Sequence, residues 1–222
     1  DLSNDVFPFG SAQEIEFGYG KAIALRMTYV GELGWELYVP TEFAQDIFDK
    51  IFASGKDHGL QLSGMHALNS LRLEKAFRHW GHDIADEDTP LEAGLGFAVK
   101  FDKPGGFIGR DALLRQKEEV YKSKNKALKK RLVQFALENP EPLLYHNEPI
   151  WCNGKIVGDL TSGMYGHTIG SSLGMGYVSN EEGVSKDFLE SSIFEIEVAG
   201  EKHRAKTSLR AFYDPKNERV RM

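Results

Sequence analysis

Three side chains between residues 29 and 38 could together hold a flat, polar ligand: Tyr29, Glu36 and Tyr38. Glu36 lies in a segment otherwise rich in aromatic and aliphatic residues, where an unpaired charge is costly. A carboxylate in such a place can accept two parallel N–H bonds while aromatic rings cover the flat face of the ligand. A ligand with an amino-lactam edge and a planar ring, such as a pterin, fits this description. The pattern leaves an alternative open, in which Glu36 simply points to solvent from the outer face of a strand.

Other chemistries have weaker candidates. His79, His82 and Asp83 lie close together, but their spacing is not one of the strong zinc patterns and no cysteine supports it, so we expect no metal site. Cys152 is the only cysteine, which excludes an internal disulfide, and it falls in a predicted strand rather than beside a base. The glycines of residues 170–176 lack the lysine–hydroxyl pair of a phosphate loop, and we predict a strand with close backbone approaches there.

Composition narrows the class of protein. The 222 residues are 41% hydrophobic and carry a net charge of -6, which argues for a folded core and against a general nucleic-acid binder. No apolar run approaches the ~20 residues of a membrane helix, so we expect no membrane partner. Asp1 rather than methionine opens the chain, which predicts a piece of a longer protein.

The elements that must position these residues follow from hydrophobic periodicity. Alternation over residues 22–39 predicts two strands joined by a short turn at residues 31–34. An apolar stripe then predicts a helix from an N-cap at Thr41 to about Gly55, and a second helix spans about residues 65–79. A third helix of about a dozen residues follows Gly109.

The sequence pattern of the second part of the chain predicts a small β domain. Asn153-Gly154 is a strong two-residue hairpin signal, and Ala199-Gly200 predicts another turn. A basic run over residues 122–131 is typical of a solvated helix end or linker. We therefore predict an α+β chain with domains at residues 1–118 and 119–222, the second a small antiparallel β-barrel. Its six predicted strands are residues 131–137, 149–152, 155–160, 173–178, 193–198 and 202–209.

A family resemblance adds to this pattern. Residues 26–40, Arg-Met-Thr-Tyr-Val-Gly-Glu-Leu-Gly-Trp-Glu-Leu-Tyr-Val-Pro, resemble the signature of the glycine-cleavage T-protein family, the folate-dependent aminomethyltransferases. More specifically, the chain resembles the C-terminal folate-binding half of sarcosine and dimethylglycine dehydrogenases. Further stretches extend the resemblance in collinear order over nearly the whole chain: residues 1–9, 73–80, 89–95, 107–113 and 213–217.

The resemblance implies a set of cofactor-binding residues. Tyr29 and Glu36 would contact tetrahydrofolate, with Glu36 holding the amino-lactam edge of the pterin. Leu37 and Tyr38 would line the same site. Phe97 falls where the family has a Tyr or Trp beside the cofactor, so the ring is kept and the polar tip is lost. The implied fold is the C-terminal part of the T-protein folate-binding fold, followed by the barrel.

Two departures from the family pattern limit which catalytic and ligand-binding residues of the family can be assigned to this chain. Leu68 replaces an arginine that contacts the ligand in simple T-proteins, which favours the dehydrogenase-fused branch. The catalytic aspartate of the family lies upstream of the Tyr29 motif, in a part of the chain that is absent, so we assign no catalytic residue here. An FAD-binding dehydrogenase half would likewise lie in the missing N-terminal part.

The resemblance thus implies an activity for the parent protein. It would transfer a one-carbon unit from a methylated amine to tetrahydrofolate, giving 5,10-methylenetetrahydrofolate, while this chain alone would be inactive. Its partners would be folate, the amine and the dehydrogenase half of the same polypeptide, in the bacterial cytoplasm or the mitochondrial matrix. The alternative is a non-catalytic folate-binding or regulatory interaction module of the same fold.

Overall fold

The structure is a computed structural model that describes all 222 residues. It divides into two compact units. The first unit is Asp1–Arg72 with Asp214–Met222, and the second unit is the continuous segment Leu73–Tyr213. No helix has the length and apolar character needed to cross a bilayer.

A three-stranded antiparallel sheet forms the centre of the first unit. Its strands are β1 (Ala12–Phe17), β2 (Gly20–Leu25) and β3 (Glu36–Tyr38), and they lie in that order. Side chains alternate between the two faces of such a sheet. Ala22 and Ala24 are buried on one face, whereas the opposite face is largely open to solvent.

The strand predicted to run through Tyr29 ends at Leu25, so that part of the sequence prediction is wrong. The reason lies in the next residue. The backbone of Arg26 exchanges hydrogen bonds with the loop before β1, and its guanidinium is buried 5.5 Å from the centre of the Trp35 ring. The same guanidinium donates to the carbonyl oxygens of Phe7 and Met222, both at 2.6 Å. Residues 26–35 therefore form a folded loop between β2 and β3.

The two helices of this region begin close to their predicted positions. A 3₁₀ turn at Thr41–Phe43 leads into α1 (Ala44–Gly55), and no side chain caps either start, so the N-cap predicted at Thr41 is not used. Helix α2 (Met65–Glu74) ends five residues earlier than predicted. Ala76 adopts a φ of +52°, which lies outside the helical region and ends the helix.

The second unit contains a closed antiparallel barrel, as predicted. Around the barrel the strands follow the order β4-β7-β6-β5-β8-β9, with β9 pairing back to β4. Helix α3 (Arg110–Lys122) precedes the barrel, and α4 (Lys186–Ser191) lies between β7 and β8. The strands are β4 (Lys130–Leu137), β5 (Pro149–Cys152), β6 (Lys155–Gly166), β7 (Ser171–Ser179), β8 (Phe194–Val198) and β9 (Glu201–Ser208).

Two tight turns and an apolar interior define this barrel. Both residues of Asn153-Gly154 and of Ala199-Gly200 have positive φ, as the favoured two-residue hairpin turn requires. Phe135, Leu160 and Ile196 are fully buried in its core. The domain division at residues 118 and 119 stays a prediction.

Close backbone approaches replace side chains at several barrel glycines. A Cβ on Gly158 would lie 1.9 Å from the carbonyl oxygen of Tyr177, and one on Gly176 would lie 2.3 Å from the carbonyl oxygen of Asp159. Residues 171–179 are therefore a strand with tight contacts, as predicted for this glycine-rich segment.

Candidate functional site

Strand β3 brings Glu36 and Tyr38 together on one face. Residues two apart in a strand share a face, and the Tyr38 hydroxyl donates a hydrogen bond of 2.9 Å to Glu36 Oε2. This hydrogen bond, together with the negative charge of Glu36, raises the pKa of the Tyr38 phenol. Tyr38 therefore stays a neutral hydrogen-bond donor, and Glu36 Oε1 accepts no hydrogen bond from the protein.

The sheet register places apolar groups next to this pair. Leu25 lies opposite Glu36, and Ile23 lies opposite Tyr38. Ile23 is 52% exposed and Tyr38 is 56% exposed, so the site is an open surface rather than an enclosed pocket. A carboxylate oxygen beside an aromatic ring and a branched aliphatic side chain can receive a planar ligand edge-on at the acid.

A shallow hollow of about 460 Å³ adjoins Tyr38 on the same face. Its far wall carries Lys21, which forms an ion pair of 2.6 Å with Glu14. The hydrogen bond and charge of Glu14 raise the pKa of the Lys21 ammonium, so this wall presents a paired cation. The polar groups of the hollow thus stand at both ends, with Ile23 between them.

The remaining predicted site residues have different surroundings. Leu37 points to the other face of β3, opposite Ala24, and Tyr29 is half-buried in the loop of residues 26–35. Phe97 belongs to the second unit, where its ring is 85% exposed on a 3₁₀ turn at residues 96–98. Among the predicted site residues, Glu36 and Tyr38 are the pair joined by a direct hydrogen bond.

Sequence reasoning missed Glu74, a buried acid at the end of α2. Its Oε1 accepts hydrogen bonds from the amides of Thr168 at 2.7 Å and Ile169 at 2.9 Å. No local signal in the sequence singles it out, because the nearby Arg72 and Lys75 make this stretch resemble a solvated, charged helix end. Glu74 thus fixes the loop between β6 and β7.

In the cluster of His79, His82 and Asp83, the carboxylate of Asp83 accepts hydrogen bonds that fix the local backbone. Asp83 is fully buried, accepting from the His79 amide at 2.9 Å and from the Thr161 hydroxyl at 2.6 Å. The two imidazole rings lie 4.5 Å apart. No group of three or more His, Cys, Asp or Glu side chains is arranged to hold a metal ion.

Comparison with protein families gives two matches that follow one another along the chain. Residues 1–103 match the family model described as the GCVT N-terminal domain, and residues 130–214 match that of the glycine cleavage T-protein C-terminal barrel domain. The second match falls on the six-stranded barrel.

Curated relatives match over the whole or nearly the whole chain. The 4-methylaminobutanoate oxidase (formaldehyde-forming) of Paenarthrobacter nicotinovorans is 44% identical over 221 residues, which is 100% of this chain and 25% of that protein. Human mitochondrial sarcosine dehydrogenase is 37% identical over 223 residues, 100% of this chain and 23% of the relative. The mitochondrial pyruvate dehydrogenase phosphatase regulatory subunit of Mus musculus is 38% identical, over 94% of this chain and 24% of the relative. The chain thus spans about a quarter of the length of these relatives.

A solved structure has the same fold. The glycine cleavage system aminomethyltransferase T from Bartonella henselae superposes with a TM-score of 0.77 at 23% identity, over 93% of this chain and 53% of that chain. The α+β architecture with a following barrel is therefore that of the bacterial protein.

Proposed function

Because the chain belongs to the glycine-cleavage T-protein family, we propose that it is the tetrahydrofolate-binding segment of a longer aminomethyltransferase. The parent protein transfers a one-carbon unit from an N-methyl or aminomethyl amine to the folate, giving 5,10-methylenetetrahydrofolate. Residues 1–118 contribute part of the folate-binding domain, and residues 119–222 form the barrel domain. The observation that carries the proposal is the Glu36 carboxylate, which has one oxygen bound by Tyr38 and the other without a protein partner.

The residues present suit the pterin end of a folate. The unpartnered Oε1 of Glu36 can accept an N–H from the amino-lactam edge, and the Tyr38 bond holds the carboxylate in place for it. The Tyr38 ring and Ile23 offer apolar surface to the flat heterocycle. In this proposal Tyr29 and the backbone of Leu37 also contact the ligand.

Tetrahydrofolate would supply the nitrogen that receives the one-carbon unit. The contribution of this chain is to orient that ligand and to cover one side of it, so that the reacting groups meet in a fixed geometry. The proton-transfer group and any FAD belong to residues upstream of this chain. The methylated amine and the dehydrogenase half are the proposed partners, and the cytoplasm or mitochondrial matrix is the proposed compartment.

A calorimetric titration of the 222-residue chain with tetrahydrofolate tests the proposal. Glu36→Gln removes the charge from the acceptor and should weaken binding by about 1.5–3 kcal/mol, or roughly 10- to 150-fold. Glu42→Gln is the matched control, because Glu42 is exposed on the 3₁₀ turn before α1 and lies outside the site. If the unsubstituted 222-residue chain and Glu36→Gln bind tetrahydrofolate with equal affinity, Glu36 does not contact the ligand.

A second candidate is a non-catalytic regulatory module, and the name of the Mus musculus relative supports it. The same titration separates the two. A chain that keeps its fold but binds no tetrahydrofolate favours the regulatory module. Folate binding that depends on Glu36 argues against a regulatory module that binds no folate. Substrate assays on the full-length parent protein then distinguish the transferase from a non-catalytic folate-binding module and identify the amine.

A further inference from the structure

A cavity of about 530 Å³ opens in the second unit where β4 and the end of β9 separate. The ladder between these strands ends at the pair Gln134 and Ser208. Arg131 on β4 and Arg210 after β9 both lie beyond that pair, and both line the cavity. Its volume is in the range of about 300–1,000 Å³ that small-molecule sites occupy.

Arg131 is a half-buried cation with no protein partner. Its guanidinium forms no ion pair or hydrogen bond, and its Nε is buried and unsatisfied. Burial lowers the pKa of the Arg131 guanidinium, because the charged form has lost water without gaining an anion. The pKa of Arg78 is also lowered, chiefly by burial, with the positive charge of Arg131 adding to the effect. An unpaired charge of this kind costs stability, so it requires an explanation.

The rest of the lining is cationic and rich in hydroxyl donors. Lys186 and Arg210 add positive charge, and the one acid, Glu190, lies 3.4 Å from Lys186. Thr207 has a hydroxyl that no other side chain engages. The hydroxyl oxygen of Ser208 accepts from the Arg210 amide at 3.0 Å and keeps its proton for another acceptor. In a chain of net charge -6, this local excess of donors is unlike the surface as a whole.

We propose that this cavity binds the oxyanion of a small molecule, a carboxylate or a phosphate, with Arg131 as its anchor. The planar fork of a guanidinium matches either group through two parallel N–H bonds. Thr207 and Ser208 donate to the remaining oxygens, and Arg210 and Lys186 close the open side. The apolar side chains of Leu189 and Leu209 line the cavity beside them and face the carbon skeleton of the ligand.

Titrations of the 222-residue chain with inorganic phosphate and with glutarate, at constant ionic strength, test this proposal. At least one probe should bind the unsubstituted 222-residue chain. Both Arg131→Gln and Arg210→Gln should weaken that binding about tenfold or more. Lys206→Gln is the matched control, because Lys206 is an exposed cation of β9 that does not line the cavity. Tighter binding of phosphate or of glutarate identifies the class of oxyanion.

Thermal unfolding shows whether a variant has lost binding only because it has lost its fold. In the absence of an anion, Arg131→Gln should be at least as stable as the unsubstituted chain, since it removes an unpaired buried charge. The probe should raise the unfolding temperature of the unsubstituted chain but not that of Arg131→Gln. Arg210 is exposed, so Arg210→Gln should fold like the parent. Failure of both probes to bind, or an equal loss in Lys206→Gln, would overturn the proposal.

Discussion

Replacing Glu74 tests how the second unit holds the loop between β6 and β7. Glu74 is only 1% exposed, and a single carboxylate oxygen accepts from the amides of Thr168 and Ile169. In Glu74→Ala both amides lose their acceptor. The two hydrogen bonds are only part-buried and Thr168 is an exposed residue, so water can replace part of what is lost. Each donor then carries part of its desolvation cost rather than all of it.

The size of the effect follows from these two bonds. A hydrogen bond to a charged group contributes about 1.5–3 kcal/mol, so the two bonds together contribute about 3–6 kcal/mol. Because water can reach Thr168, Glu74→Ala should lower the free energy of unfolding of the second unit by the lower end of that range, about 3 kcal/mol. Glu74→Gln keeps an acceptor oxygen in the same position. Because charge-assisted hydrogen bonds are roughly twice as strong as neutral ones, the glutamine variant should lose about half as much.

Hydrogen exchange gives the sharpest assay, because it reports on Thr168 and Ile169 one amide at a time. Both amides should exchange faster in Glu74→Ala than in the parent, and urea unfolding should show the global loss. Glu201→Gln serves as the control, since Glu201 is an exposed acid of the same unit. Unchanged exchange at both amides in Glu74→Ala would refute the reasoning.

Three further outcomes are expected. In Glu36→Gln the pKa of Tyr38 should fall back toward the ordinary tyrosine value, because the carboxylate that raises it is gone; a pH titration of the phenol absorbance measures this, and no change would place the cause elsewhere. Gly158→Ala should cost about 3 kcal/mol or more in urea unfolding, since the new Cβ would meet a backbone carbonyl, whereas Gly64→Ala, with open space around it, should be close to neutral. Cys152 is buried and its pKa is raised by that burial, so iodoacetamide should modify it only after unfolding, as mass spectrometry would show; rapid modification of the native chain would contradict this.

The barrel was predictable because its signals are local. Asn153-Gly154 predicts one hairpin by the backbone preferences of both residues, and Gly200 predicts the second turn, although Ala199 takes a positive φ that its side chain disfavours. Alternating side chains between the turns define the strands. The shared face of Glu36 and Tyr38 follows from the two-residue period in the same way. Each of these features depends on residues close together in the sequence.

The parts that could not be predicted depend on distant partners. Arg26 has a strand-like pattern around it, yet its guanidinium binds carbonyl oxygens 19 and 196 residues away, and this ends the strand. Glu74 finds its amides 94 and 95 residues away. Arg131 falls in a basic run typical of a solvated segment, and nothing in that run shows that the ladder beside it ends at Gln134.

The division of the chain between its two units has a consequence for synthesis on the ribosome. The second unit is continuous, so all of its residues are available once Tyr213 has emerged. The first unit also needs Asp214–Met222, including the Met222 carbonyl that binds Arg26, and must wait for the whole second unit to be translated. At about 5–20 residues per second, that interval leaves the Arg26 guanidinium without one of its acceptors for roughly 7–30 seconds. We therefore expect the barrel to fold before the first unit is completed.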